Sequence, residues 1–68
     1  MTPEQFKIIR LAAGLSVRQL ATVLRIQDAG TIRRYENGSR EVSGPVSALM
    51  EMIHNGDLPE RFNPVAPG

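Results

Sequence analysis

The sequence predicts a compact all-α domain, and three observations carry that reading. Apolar residues recur at the spacing of one helical face at Val17, Leu20, Ala21 and Leu24, and again at Val46, Leu49, Met50 and Ile53. Helix starts and stops punctuate the chain, with Thr2-Pro3, Ser16 and Asp28 at starts and Gly14, Asn37-Gly38 and Asn55-Gly56 at ends. The chain has 68 residues and no cysteine. A domain of that size buries only about 60% of the surface its unfolded chain exposes. Without disulfides or thiolate metal sites, economical helix packing is the remaining source of stability.

The elements follow in order. Thr2 caps the first helix and Pro3 occupies its first position, where a missing N–H costs nothing. Phe6, Ile9 and Ala13 share one face, flanked by Ile8 and Leu11, and Gly14 closes the helix in a left-handed conformation. Ser16 caps the second helix, with Gln19 three residues later at the capping-box position, and this helix is expected to run to about Arg25. Arg25-Ile26-Gln27 makes the turn, with Ile26 dipping into the core. Asp28 caps the third helix by accepting from backbone N–H groups near Thr31. Ile32 and Tyr35 face inward, Arg33 and Arg34 point elsewhere, and Asn37-Gly38 stops the helix. A fourth helix is expected from about Pro45 to His54. The predicted domain covers residues 1–55, and residues 56–68 read as an extended or disordered tail with Leu58 and Phe62 as packing candidates.

Net charge is only +1, but it is unevenly spread. Residues 18–41 carry Arg18, Arg25, Arg33, Arg34 and Arg40 against Asp28, Glu36 and Glu41, net +2, whereas residues 42–68 are net −2. Local clustering of cations matters more for phosphate contact than the charge of the whole chain. No segment approaches the ~20 apolar residues of a membrane span, and the N-terminus lacks the pattern of a signal peptide. A cytoplasmic location and no membrane partner are expected. His54 is the only histidine and has no ligand-type neighbours at metal spacing. No nucleophile–base arrangement, carboxylate pair or phosphate-cradling glycine loop is present, so enzyme activity, a metal, a cofactor and a small-molecule ligand are not expected.

Two short helices joined by a tight turn, the second carrying Arg33 and Arg34, suggest a helix-turn-helix reading a DNA groove. From Phe6 to Ile53 the chain resembles the phage-repressor and Cro type, also called the xenobiotic-response-element type. The resemblance rests on Gly14-Leu15-Ser16, Leu20-Ala21, Leu24, Thr31-Ile32, Arg34 and Tyr35-Glu36-Asn37-Gly38. It implies a lambda-repressor-like fold of four to five helices. Three departures stand out. Arg25 occupies a place where glycine is common, the turn from Leu24 to Asp28 is one residue longer than usual, and Val17 replaces a glutamine that often bonds a phosphate.

The resemblance also implies roles. Arg33, Arg34 and Thr31 on the third helix, with Ala29 and Gly30 allowing close approach, would meet base edges, Arg34 donating its planar fork to a guanine. Arg33 lies about 100° round the helix from Arg34, so one would read a base while the other takes a phosphate. Arg18, Gln19, Asn37, Ser39 and Arg40 would contact the phosphate backbone. Arg10 and Glu36 would form an internal ion pair that docks the third helix. The plainer alternatives are solvated surface arginines, a neutral helix start at Ala29-Gly30, and an ordinary polar loop at Ser39.

The function expected is a sequence-specific DNA-binding transcriptional regulator of bacterial or phage type, a repressor that occludes a promoter. Its partner would be double-stranded DNA, bound as a homodimer on an inverted repeat. With little chain outside the domain, control through a fused ligand domain is not expected. The competing expectation is a protein-interaction module, antitoxin-like or accessory, built on the same fold. The arginine surface separates them, since an adaptor has no need of it.

Overall fold

The first turn of α1 (Pro3–Ala12) is closed by a reciprocal capping box. The Gln5 N–H donates to Thr2 Oγ1 at 3.1 Å, and the Thr2 N–H donates to Gln5 Oε1 at 2.9 Å. The same device starts α2 (Val17–Val23), where Ser16 and Gln19 exchange bonds of 3.0 and 2.8 Å. The remaining helices are α3 (Ala29–Asn37) and α4 (Gly44–Asn55). The computed structural model describes residues 1–57. The expectations for the tail beyond them, including Leu58, Phe62 and Val65, lie outside the described residues.

α1 packs against α3 and α4, and α2 packs against α3. All four helices supply the core, with Phe6 from α1, Leu20 and Ala21 from α2, Ile32 and Tyr35 from α3, and Met50 from α4. Leu24, just past α2, joins it, and Ile9, Val46, Leu49 and Ile53 pack around the rim. The Phe6 and Tyr35 rings meet at 5.4 Å with a 50° tilt, a favourable edge-biased aromatic geometry that ties α1 to α3. Burying a side chain like Phe6 contributes roughly 1.5–3 kcal/mol. Among the described residues, no helix is long and apolar enough to cross a membrane.

Three local expectations need correction. α2 ends at Val23 rather than near Arg25, because Leu24 caps it and Arg25 turns to φ +60°. Two backbone bonds then close the end, Arg25 N–H to the Thr22 carbonyl at 3.2 Å and Ile26 N–H to the Ala21 carbonyl at 2.8 Å. Asp28 caps α3 as expected, its carboxylate accepting from the Gly30 N–H at 2.8 Å, while the neighbouring Thr31 N–H donates to the Asp28 backbone carbonyl at 3.0 Å. Ala13 is exposed rather than on the packed face, since it already lies at the C-cap where α1 turns away. Finally, α4 begins at Gly44, one residue before Pro45, and runs to Asn55. The four described helices sit at the low end of the four-to-five range.

Candidate nucleic-acid interface

The turn between α2 and α3 sets the angle at which α3 is presented. Ile26 is half-buried and packs on the core, so the chain between the helices is pinned from inside. Arg25 adopts the left-handed backbone for which glycine is usually needed, at a typical cost of about 1–2 kcal/mol. The pair of closing hydrogen bonds and the anchoring of Ile26 offset that cost. Between the outer sides of α2 and α3 lies a polar cleft lined by Arg18, Thr22, Gln27, Asp28, Gly30 and Arg33.

α3 divides cleanly by face. Ile32 is fully buried and Tyr35 nearly so, while Arg33 and Arg34 are exposed and Thr31 is half-buried. Ala29 turns towards the core, where it packs against the buried cluster. Gly30 is half-buried beneath the Asp28 carboxylate; a Cβ there would stand 3.0 Å from Asp28 Oδ1. A side chain at Gly30 would therefore crowd the capping carboxylate, which would have to give by a few tenths of an ångström. Arg34 reaches back along α3 and brings Nη1 within 3.7 Å of Asp28 Oδ2. Side chains on a helix tilt towards its N-terminus, which makes this six-residue reach possible for arginine.

The residues flanking α3 are held in distinct ways. Arg18 lies in the cleft, and its backbone carbonyl accepts from Thr22 Oγ1 at 3.1 Å. The carboxamide oxygen of Gln19 is committed to the α2 cap. After α3, Asn37 Oδ1 accepts from both the N–H and the hydroxyl of Ser39, at 2.8 and 2.6 Å. This turn fixes the loop but engages both donors of Ser39. The Arg40 N–H donates to the Arg34 carbonyl at 3.2 Å, and its guanidinium lies 6.0 Å from the centre of the Tyr35 ring. That distance is at the outer limit of cation–π attraction, so the guanidinium is placed rather than locked.

Behind α3, Arg10 is one of the buried residues, only 9% exposed. Its Nε donates to Glu36 Oε2 at 2.6 Å and its Nη2 to Glu36 Oε1 at 3.2 Å, a forked pair joining α1 to α3. The third donor, Nη1, bonds the Leu15 carbonyl at 2.9 Å and so also fixes the loop entering α2. One guanidinium thus ties α1 to α3 and to the loop entering α2. The Leu15 contact and the Asp28–Arg34 pair have no signature in the sequence. The reciprocal cap of α1, by contrast, could have been read from the Thr2-to-Gln5 spacing, which matches a capping box.

Residues 4–51, which hold all of α2 and α3, match the family described as helix-turn-helix domain. No curated protein and no solved structure matches the chain. The matched span covers well over half of the 68 residues, and the two helices, their turn and the exposed arginines of α3 lie inside it. The chain belongs to the helix-turn-helix domain family, a DNA-binding fold.

Proposed function

We propose that the protein is a sequence-specific transcriptional regulator of the phage-repressor and Cro type, acting as a repressor by occluding a promoter. The observation that carries the proposal is the exposure of Arg33 and Arg34 side by side on α3 while Ile32 and Tyr35 of the same helix are buried. α3 enters the major groove and α2 crosses the backbone above it. Arg34 reads a guanine edge, with Arg33 and Arg18 flanking it across the cleft, and Thr31 and Gly30 permit close approach. Arg40, Asn37 and Gln19 meet phosphates, and Ser39 does so only if its bonds to Asn37 open. One α3 reads a few base pairs, so two copies on an inverted repeat supply the specificity.

A protein partner is the second reading. The observation favouring it is the exposed apolar pair on the outer face of α1, Ile8 at 63% and Leu11 at 58%. The arginine surface distinguishes the two readings. Titrating random duplex DNA at rising salt tests them directly. DNA binding that weakens steeply with salt supports the regulator, and no binding at low salt refutes it. Selection from a random duplex library then gives the preferred site.

A further inference from the structure

The Asp28–Arg34 pair joins an acidic group to an arginine proposed to read DNA. Both side chains are more than half exposed, at 67% and 53%. Their closest atoms stand 3.7 Å apart, too far for a hydrogen bond, so the pair is loose and opens readily in water. The Asp28 carboxylate is nonetheless fixed in place. Oδ1 accepts from the Gly30 N–H at 2.8 Å. The fixed partner is thus the carboxylate, and the movable one is the guanidinium.

We propose that Asp28 is a specificity-determining residue whose carboxylate, standing beside the Arg34 guanidinium near the start of α3, favours a base edge over a phosphate as the partner of Arg34. The proposal rests on the DNA-binding reading above. A guanidinium has five N–H donors, and two of them pair with the neutral O6 and N7 of guanine without bringing a second negative charge near Asp28. A phosphate brings a full negative charge, and taking Arg34 places that charge beside the carboxylate. Like-charge repulsion therefore weakens the sequence-independent mode more than the sequence-reading mode. Asp28 discriminates by penalising the wrong partner, which raises the ratio of specific to random binding while lowering overall affinity.

The test uses the full chain with Asp28→Asn, which keeps a capping oxygen and removes the charge, alone and combined with Arg34→Ala. Asp28→Ser is a second capping variant and should behave alike. The probes are a random-sequence duplex and the duplex recovered by repeated selection with the unsubstituted protein. Asp28→Asn should bind the random duplex roughly 3- to 10-fold tighter, with the log–log salt slope steeper by about 0.9 as Arg34 takes one more phosphate. Binding to the selected duplex should change less, so the specificity ratio falls. In the Arg34→Ala background the gain should largely vanish. An equal gain in that background would overturn the proposal, because the carboxylate would then act as plain charge. So would an unchanged specificity ratio. If the unsubstituted protein binds no duplex at low salt, the DNA-binding reading falls with it. If it binds and Asp28→Asn is indistinguishable from it, this inference alone falls.

Discussion

Replacing Glu36 by Ala should destabilise the domain by about 3 kcal/mol, and the number follows from what the substitution leaves behind. Arg10 loses both bonds to the Glu36 carboxylate and keeps only the one to the Leu15 carbonyl. Removing one partner of a buried ion pair typically costs about 3–5 kcal/mol, because the other charge is stranded. The two side chains here retain 11% and 12% exposure, which admits some water and places the cost at the low end of that range. A domain of this length has a total stability of roughly 3–10 kcal/mol at about 0.05–0.15 kcal/mol per residue. Losing ~3 kcal/mol therefore removes a third or more of it. At about 4–8 °C per kcal/mol for small domains, the melting temperature should fall by roughly 12–24 °C.

Thermal melts followed by far-ultraviolet circular dichroism measure this directly, and two comparisons isolate the cause. Glu36→Gln keeps an acceptor for Arg10 while removing the charge, and should fall between the parent and Glu36→Ala. The double variant Arg10→Met with Glu36→Leu removes both charges and fills the space with apolar atoms. It should recover most of the loss, short by about 1 kcal/mol because the Leu15 carbonyl loses its donor. A Glu36→Ala protein melting within about 2 °C of the parent would refute the stranded-charge reasoning, and so would a double variant no more stable than the single one.

Other consequences are measurable. Gly14→Ala should cost about 1–2 kcal/mol in chemical denaturation, because φ is +72° and no atom lies within 4 Å to confuse backbone strain with a clash. Arg34→Ala should weaken the preferred site by ~1–3 kcal/mol and relax discrimination at one base position, whereas Arg40→Ala should weaken all sequences alike and reduce the salt slope by about 1. Mobility shifts on selected and random duplexes separate the two, and equal behaviour would undo the division of roles. Two copies should load on half-sites about 34 Å apart, so moving them by half a helical turn should abolish cooperative loading in a duplex titration.

The core was legible because it follows helical spacing. Leu20, Ala21 and Leu24, then Ile32 and Tyr35, are buried where a period of 3.6 puts them, and Ser16 with Gln19 forms the reciprocal cap its spacing indicates. Ends were harder. Nothing local marks Val23 as the last residue of α2, because the closing conformation falls on an arginine rather than a glycine. The pairing of Arg10 with Glu36 joins positions 26 apart, which no periodicity reports; only the family resemblance brings the two together. On the candidate interface, residue types and faces were readable. The Asp28–Arg34 contact and the Asn37–Ser39 turn were not, since each depends on the reach of a side chain rather than on its place in a repeat.

These two kinds of information meet at the turn. Glycine at the end of a helix adopts the left-handed backbone without penalty, so a glycine turn leaves the following direction to other contacts. With Arg25 in that position the conformation must be enforced from outside. The enforcement comes from the two carbonyls of α2 that receive the Arg25 and Ile26 N–H groups, and from Ile26 packing on the core. The direction of α3 is thus tied to the core at Ile26 on one side and to α1 through Arg10 and Glu36 on the other. A helix held at both ends presents its exposed arginines at a fixed angle. That fixity suits reading base edges better than it suits tracking a backbone, because base contacts tolerate little displacement whereas phosphates attract a cation over a longer range.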